Sequence, residues 1–216
     1  VAAWLACDND EILSEVIDRD PAVLFQDADP SHLMPGRRAD VLTKFVGRYG
    51  PGTRRGQRVP RVQINRFADS TLADDIIRLW NLGIENSEVR EVLLGLVKAA
   101  RITQCADLAH GCVCDRQRTN NERLLALEAL IELCDPRISS IVDTIETDRT
   151  MWPDDIAGLA LHHLFPKHIA VEQMLRILGR IRGRLKGTDA LSFYLPNSVK
   201  VVDVTAKIVE DLREGV

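Results

Sequence analysis

Residues 120–147, NNERLLALEALIELCDPRISSIVDTIET, decide the fold. Leu124, Leu127, Leu130, Ile131 and Cys134 recur at three- and four-residue steps, so a helix would gather them into one apolar stripe. Asp135 and Pro136 break the pattern and restart it. Aspartate is a good N-cap, and proline suits the first helical position, where its missing N–H has no partner to lose. Ile138, Ile141, Val142 and Ile145 then rebuild the stripe. The spacing predicts two antiparallel helices joined by a tight turn. Such a pair cannot bury both apolar faces alone and needs like neighbours.

Those neighbours are legible on both sides. Upstream, 10–19 forms an amphipathic helix on Ile12, Leu13, Val16 and Ile17, and Pro21 opens a further helical turn with Val23, Leu24 and Phe25. Gln26–Pro35 reads as loop. A helix from Pro35 to about Tyr49 turns Val41, Leu42, Phe45 and Val46 inward. Thr71 and Asp74 resemble a capping box for a helix through Trp80 that Gly83 ends. Asn86 or Ser87 caps a helix over 88–100, and Thr103 caps its partner over 104–114. Downstream, Pro153 with Asp154 and Asp155 starts a helix on Ile156, Leu159, Leu161 and Leu164, the acids facing the positive helix end. Pro166 marks the next turn, 168–185 the partner helix, and Pro196 a last helix to about Leu212. Helix starts near Thr103, Pro136, Pro166 and Pro196 recur at roughly 30 residues, which predicts an all-α chain built as an α-solenoid of degenerate helix pairs. Residues 1–50 are expected to form an N-terminal helical segment and 62–216 the repeats, one continuous solenoid. Between them, 51–61 within GPGTRRGQRVPR is the expected mobile connection, rich in glycine, proline and arginine.

Bulk composition narrows the function. The chain has 216 residues, 45% hydrophobic and 28% charged, as expected of a chain that buries a core. Its net charge of −4 argues against a dedicated nucleic-acid binder, though not against a local basic patch. Five cysteines at irregular spacing do not suggest a secreted disulfide framework, so a cytoplasmic location is expected. No apolar run approaches the roughly 20 residues of a membrane span. Val1–Cys7 lacks a signal peptide's basic start and already looks helical, so the chain is expected to be a piece of a longer protein.

Read as pairs, the helices resemble HEAT or armadillo repeats. Three stretches carry a narrower resemblance: 4–25 (WLACDNDEILSEVIDRDPAVLF), 153–178 (PDDIAGLALHHLFPKHIAVEQMLRIL) and 193–212 (FYLPNSVKVVDVTAKIVEDL). In order, they resemble the helical arm of large bacterial signal-transduction NTPases with a NACHT-type or related STAND core. The chain departs from that pattern at Ile169–Ala170, where a Leu-Ser cap is usual, and in the arginine-rich loop. The resemblance implies a sensor or restraining arm downstream of an ATPase, often in defence against phage. Its partners would be its own NTPase core or a trigger protein. No GxxxxGK[ST] occurs in the chain, so it cannot cradle a nucleotide by that means.

Few residues suggest chemistry. Cys105, His110, Cys112 and Cys114 are zinc-ligand types, but C-x-C on a helix points its sulfurs apart and no second pair supports it. Small core cysteines are the better reading, and no metal or cofactor is expected. His162, His163 and His168 flank the Phe165–Pro166 turn and read as surface or capping residues. No nucleophile motif is present, so no enzymatic activity is expected. The three tryptophans, Trp4, Trp80 and Trp152, read as packing anchors. Two basic features remain: the loop Arg54, Arg55, Arg58, Arg61, and the helix face Arg176, Arg180, Arg184. Solvated faces or salt bridges explain most such runs. The alternative is a contact site for phosphate, nucleic acid or an acidic surface. The expected function is therefore a non-enzymatic interaction module; the alternative is a HEAT-like nucleic-acid-binding domain using the arginines.

Overall fold

A computed structural model describes residues 2–53 and 58–181. The expected helix at Pro196–Leu212, together with Arg54, Arg55 and Arg184, lies outside the described residues. The described chain is all-α, with twelve α-helices, three short 3-10 turns and no strand among the described residues. It forms two compact units that part between Leu133 and Cys134, inside the turn of the opening stretch. The arginine-rich loop falls inside the first unit.

In the first unit the helices are α1 (Ala2–Asp8), α2 (Asp10–Arg19), α3 (Ala22–Asp27), α4 (Pro35–Tyr49), α5 (Arg61–Phe67), α6 (Ala73–Asn81), α7 (Ser87–Ala100), α8 (Ala106–Cys114) and α9 (Asn120–Glu132). Helix α2 starts where the Asn9 side chain accepts from the amides of Glu11 and Ile12, both at 3.0 Å. Phe25, Phe45, Phe67 and Tyr49 form a buried aromatic cluster, the Phe25 and Phe67 rings 4.2 Å apart. Phe67 is the anchor of α5, a helix absent from the sequence reading. Its other residues are exposed or half-buried, so no periodic apolar stripe announces it.

Two expected caps are corrected. Thr71 does not open α6: Asp69 accepts from the Thr71 amide at 2.9 Å and starts a 3-10 turn, after which α6 begins at Ala73. Thr103 likewise lies inside a 3-10 turn, and α8 begins at Ala106. Asn86 is the cap of α7, accepting from the Glu88 amide at 3.0 Å. Gly83 closes α6 at φ 82°, a left-handed conformation that suits glycine.

Helix α9 packs against α7 and α8. Its capping box pairs Thr119 with Glu122. Leu124, Leu127 and Leu130 are buried as expected. Cys134 is not: it adopts φ 53° as the chain turns and is exposed, while Ile131 is only half-buried. Glu122 and Arg123 take buried places beside the leucines. The Glu122 side chain has no solvent exposure and meets Arg90, whose side chain is 11% exposed. Arg90 Nε donates to Glu122 Oε1 and Arg90 Nη1 to the Ile84 carbonyl, while Glu122 Oε2 accepts from the Thr119 amide at 2.9 Å. A second buried cation, Arg38, donates to the carbonyls of Leu33 (3.0 Å), Ser31 (3.0 Å) and Phe67 (3.2 Å), tying α4 to the end of α5.

In the second unit, the described residues 134–181 form α10 (Ile138–Thr147), α11 (Asp154–Leu164) and α12 (Val171–Arg180). Asp135 caps the turn rather than the helix: its Oδ1 accepts from the Arg137 amide at 2.9 Å, and α10 starts at Ile138. Ile138, Ile141, Val142 and Ile145 are buried as predicted. Trp152 is 1% exposed and donates from Nε1 to Thr144 Oγ1 at 3.0 Å. Phe165–Pro166 is a cis peptide in the turn before α12.

Burial by itself would raise the Glu122 pKa, but hydrogen bonds from Arg90 and Thr119 outweigh it and hold the carboxyl below its usual range. A depressed carboxylate contributes stability above its unfolded pKa and loses it as pH falls through the folded one. Urea unfolding followed by circular dichroism should therefore show stability falling below about pH 4.5, with a shallower acid limb in Glu122→Gln. At pH 7, Glu122→Ala leaves a buried guanidinium unpaired and should cost about 3–5 kcal/mol.

Candidate functional site

A groove of about 730 Å³ runs along α5, α7 and α9 in the first unit. Its floor includes Ile64, Val92, Gly95 and Leu125. Gly95 lets α5 approach α7: a Cβ placed there would stand 3.1 Å from Ile64 Cδ1 and Cγ2. The rim carries Arg58, Arg61, Lys98 and Arg101 and, against them, Glu88, Glu91, Glu128 and Glu132. Lys98 pairs with Glu128, and Arg101 Nη2 lies 3.2 Å from Glu132 Oε2. Among the described residues, cations and carboxylates are equal in number on this rim. The described lining can recognise a surface that presents apolar groups between charges of both signs.

Two of the four loop arginines of the sequence reading are described, and both line this groove: Arg58 in the connection and Arg61 as the first residue of α5, both exposed. The groove itself escaped the sequence reading because two of its walls, α7 and α9, look like ordinary packed helices and the third, α5, carries no stripe.

The second basic feature is placed differently. Arg176 Nε lies 2.5 Å from Glu146 Oε1, and Gln173 donates to the same carboxylate at 3.1 Å. Arg180 Nη2 donates to the Trp152 carbonyl at 2.7 Å and Nη1 to the Ile145 carbonyl. These two share one helix face, as their spacing implies, but the face is turned onto α10 and the Trp152 loop.

The cysteine cluster separates into a buried half and an exposed half. Cys105 donates to the Ala73 carbonyl at 3.9 Å and Cys112 to the Glu122 carbonyl at 3.7 Å. Burial pushes their thiols up to about 11 and about 12, away from the thiolate that metals require. No group of three or more His, Cys, Asp or Glu that could hold a metal ion occurs among the described residues. His110 Nε2 and the exposed Cys114 Sγ are 3.8 Å apart. The rings of His162 and His163 lie 5.2 Å apart, so they do not diverge as far as adjacent helical positions suggest. Trp152 is a buried anchor and Trp80 is half-buried beneath the Arg118 guanidinium, but Trp4 is 58% exposed and anchors nothing in the described structure. No helix among the described residues is long and apolar enough to cross a membrane.

Arg180→Ala should lower the unfolding midpoint in a thermal melt followed by tryptophan fluorescence, because it removes the guanidinium donors to the Ile145 and Trp152 carbonyls, at a cost of about 1–3 kcal/mol. Arg176→Ala, on a pair that is largely exposed, should cost less than about 1 kcal/mol. Against family models, curated proteins and solved structures, the chain gives no significant match.

Proposed function

We propose that this chain is a non-enzymatic interaction module, an α-solenoid of degenerate HEAT-like pairs whose groove between α5, α7 and α9 takes a segment of a protein partner. The observation that supports this reading best is the groove itself: an apolar floor beneath a rim on which four cations stand against four carboxylates. Mixed charge around an apolar strip suits an amphipathic protein segment and gives orientation without attracting polyanions. The resemblance of 4–25 and 153–178 to the arms of STAND-type NTPases makes the natural partner either an NTPase core in the same cytoplasmic gene product or a trigger protein. A role in signalling or antiphage defence is part of the same proposal. The nucleic-acid alternative has less support, since Arg176 and Arg180 are engaged within the second unit and Arg58 and Arg61 share their groove with the carboxylates.

The test is capture of partners from the source cell by the wild-type chain and by Leu125→Glu, which places a charge on the half-buried floor. Binding of an identified partner should fall at least about tenfold, equivalent to 1.4 kcal/mol, with the helical circular dichroism spectrum unchanged. Equal capture by both proteins would remove the groove from the reading. Tight, steeply salt-dependent binding to duplex DNA or RNA, lost in Arg58→Glu/Arg61→Glu, would replace it with the nucleic-acid alternative.

A further inference from the structure

The strongest feature outside the groove is the exposed end of α8. Of the four zinc-type residues in 105–114, two are withdrawn into the core. The other two, His110 and Cys114, stand one turn apart with Nε2 and Sγ separated by 3.8 Å. A tetrahedral zinc ion with bonds of about 2.3 Å to sulfur and about 2.0–2.1 Å to nitrogen holds those two donors about 3.6 Å apart. The pair is thus close to a bidentate metal bite. Cys114 is the last residue of α8, where the negative end of the helix dipole attracts a cation. The Arg123 guanidinium is one of the charged groups that interact with Cys114. Cys114 is exposed and His110 half-buried, so both can be reached from solvent.

We propose that His110 and Cys114 are half of a zinc site completed by the same two residues of a second copy of this chain. Two protein donors leave two tetrahedral positions open. A twofold axis through the metal fills them with an identical pair, giving two sulfurs and two nitrogens, one of the structural-zinc donor sets. Binding releases the Cys114 proton to solvent as the sulfur bonds to the metal. No third donor is needed from the same chain. The site is independent of the groove between α5, α7 and α9.

The experiment is sedimentation velocity of the whole chain with zinc chloride under reducing conditions, and again after EDTA. Zinc should convert the chain to a dimer holding one metal per two chains, and EDTA should reverse it. Cobalt in place of zinc should give a sulfur-to-cobalt charge-transfer band. Cys114→Ser and His110→Ala should each abolish the dimer and weaken metal binding at least tenfold, whereas Cys134→Ser, which removes the other exposed thiol of the described structure, should leave both intact. One zinc per chain without dimerisation, no zinc binding, or equal loss in Cys134→Ser would overturn the proposal.

Discussion

A carboxylate sealed from solvent is the constraint on which the first unit depends. Removing a charge from water costs several kcal/mol unless a partner and further hydrogen bonds replace the lost hydration. Glu122 meets that condition through Arg90 and the Thr119 amide, and Arg90 in turn reaches the Ile84 carbonyl. Helices α7 and α9 and the segment after α6 are therefore fixed together by one node. A slide of one helical turn, about 5.4 Å, would strand two charges. The neighbours of that node in sequence, Glu91 and Asn121, line the groove. The groove's shape is thus held from behind by a pair that takes no part in its lining.

Apolar periodicity carried most of the helices. The bounds of α2 and α4 follow from Asn9, Pro35 and stripes that bury Leu13, Ile17, Val41, Leu42, Phe45 and Val46. Helix α10 kept its predicted stripe because each of its apolar side chains finds a core position. The opening stretch was less uniform. Its two helices exist, but the compact units part inside their turn, so α9 uses its buried face on α7 and α8 while α10 packs against α12. Periodicity reports which face is hidden and carries no information about what hides it.

The errors have physical sources. Helix α5 has one fully buried side chain, Phe67, whose burial depends on Phe25 and Phe45 from distant positions, so a local pattern could not reveal it. The cap assigned to Thr71 failed because Asp69, two residues earlier, accepts from both the Thr71 amide and the Thr71 hydroxyl. The capping box actually present, Thr119 with Glu122, was readable as T-x-x-E. Nothing local in the sequence marks its glutamate as Arg90's partner.

Arginine placement shows why charge counting misleads in such a chain. Short helices multiply helix ends, and each end leaves carbonyls without intrahelical donors. Glycine closes α6, and at three other helix ends a guanidinium group supplies a donor. Arg38 reaches Phe67, the last residue of α5; Arg123 reaches Val113 near the end of α8; Arg180 reaches Ile145 in the last turn of α10. A guanidinium suits the task because it carries five donors in a rigid fork and keeps its charge when half-buried. A row of arginines at helical spacing is then as much a sign of neighbouring helix ends as of an anionic ligand. Arg176 and Arg180 have the spacing of a binding face and are committed to Glu146, Ile145 and Trp152. Among the described residues, balanced charge and open apolar area come together along the groove of the first unit instead.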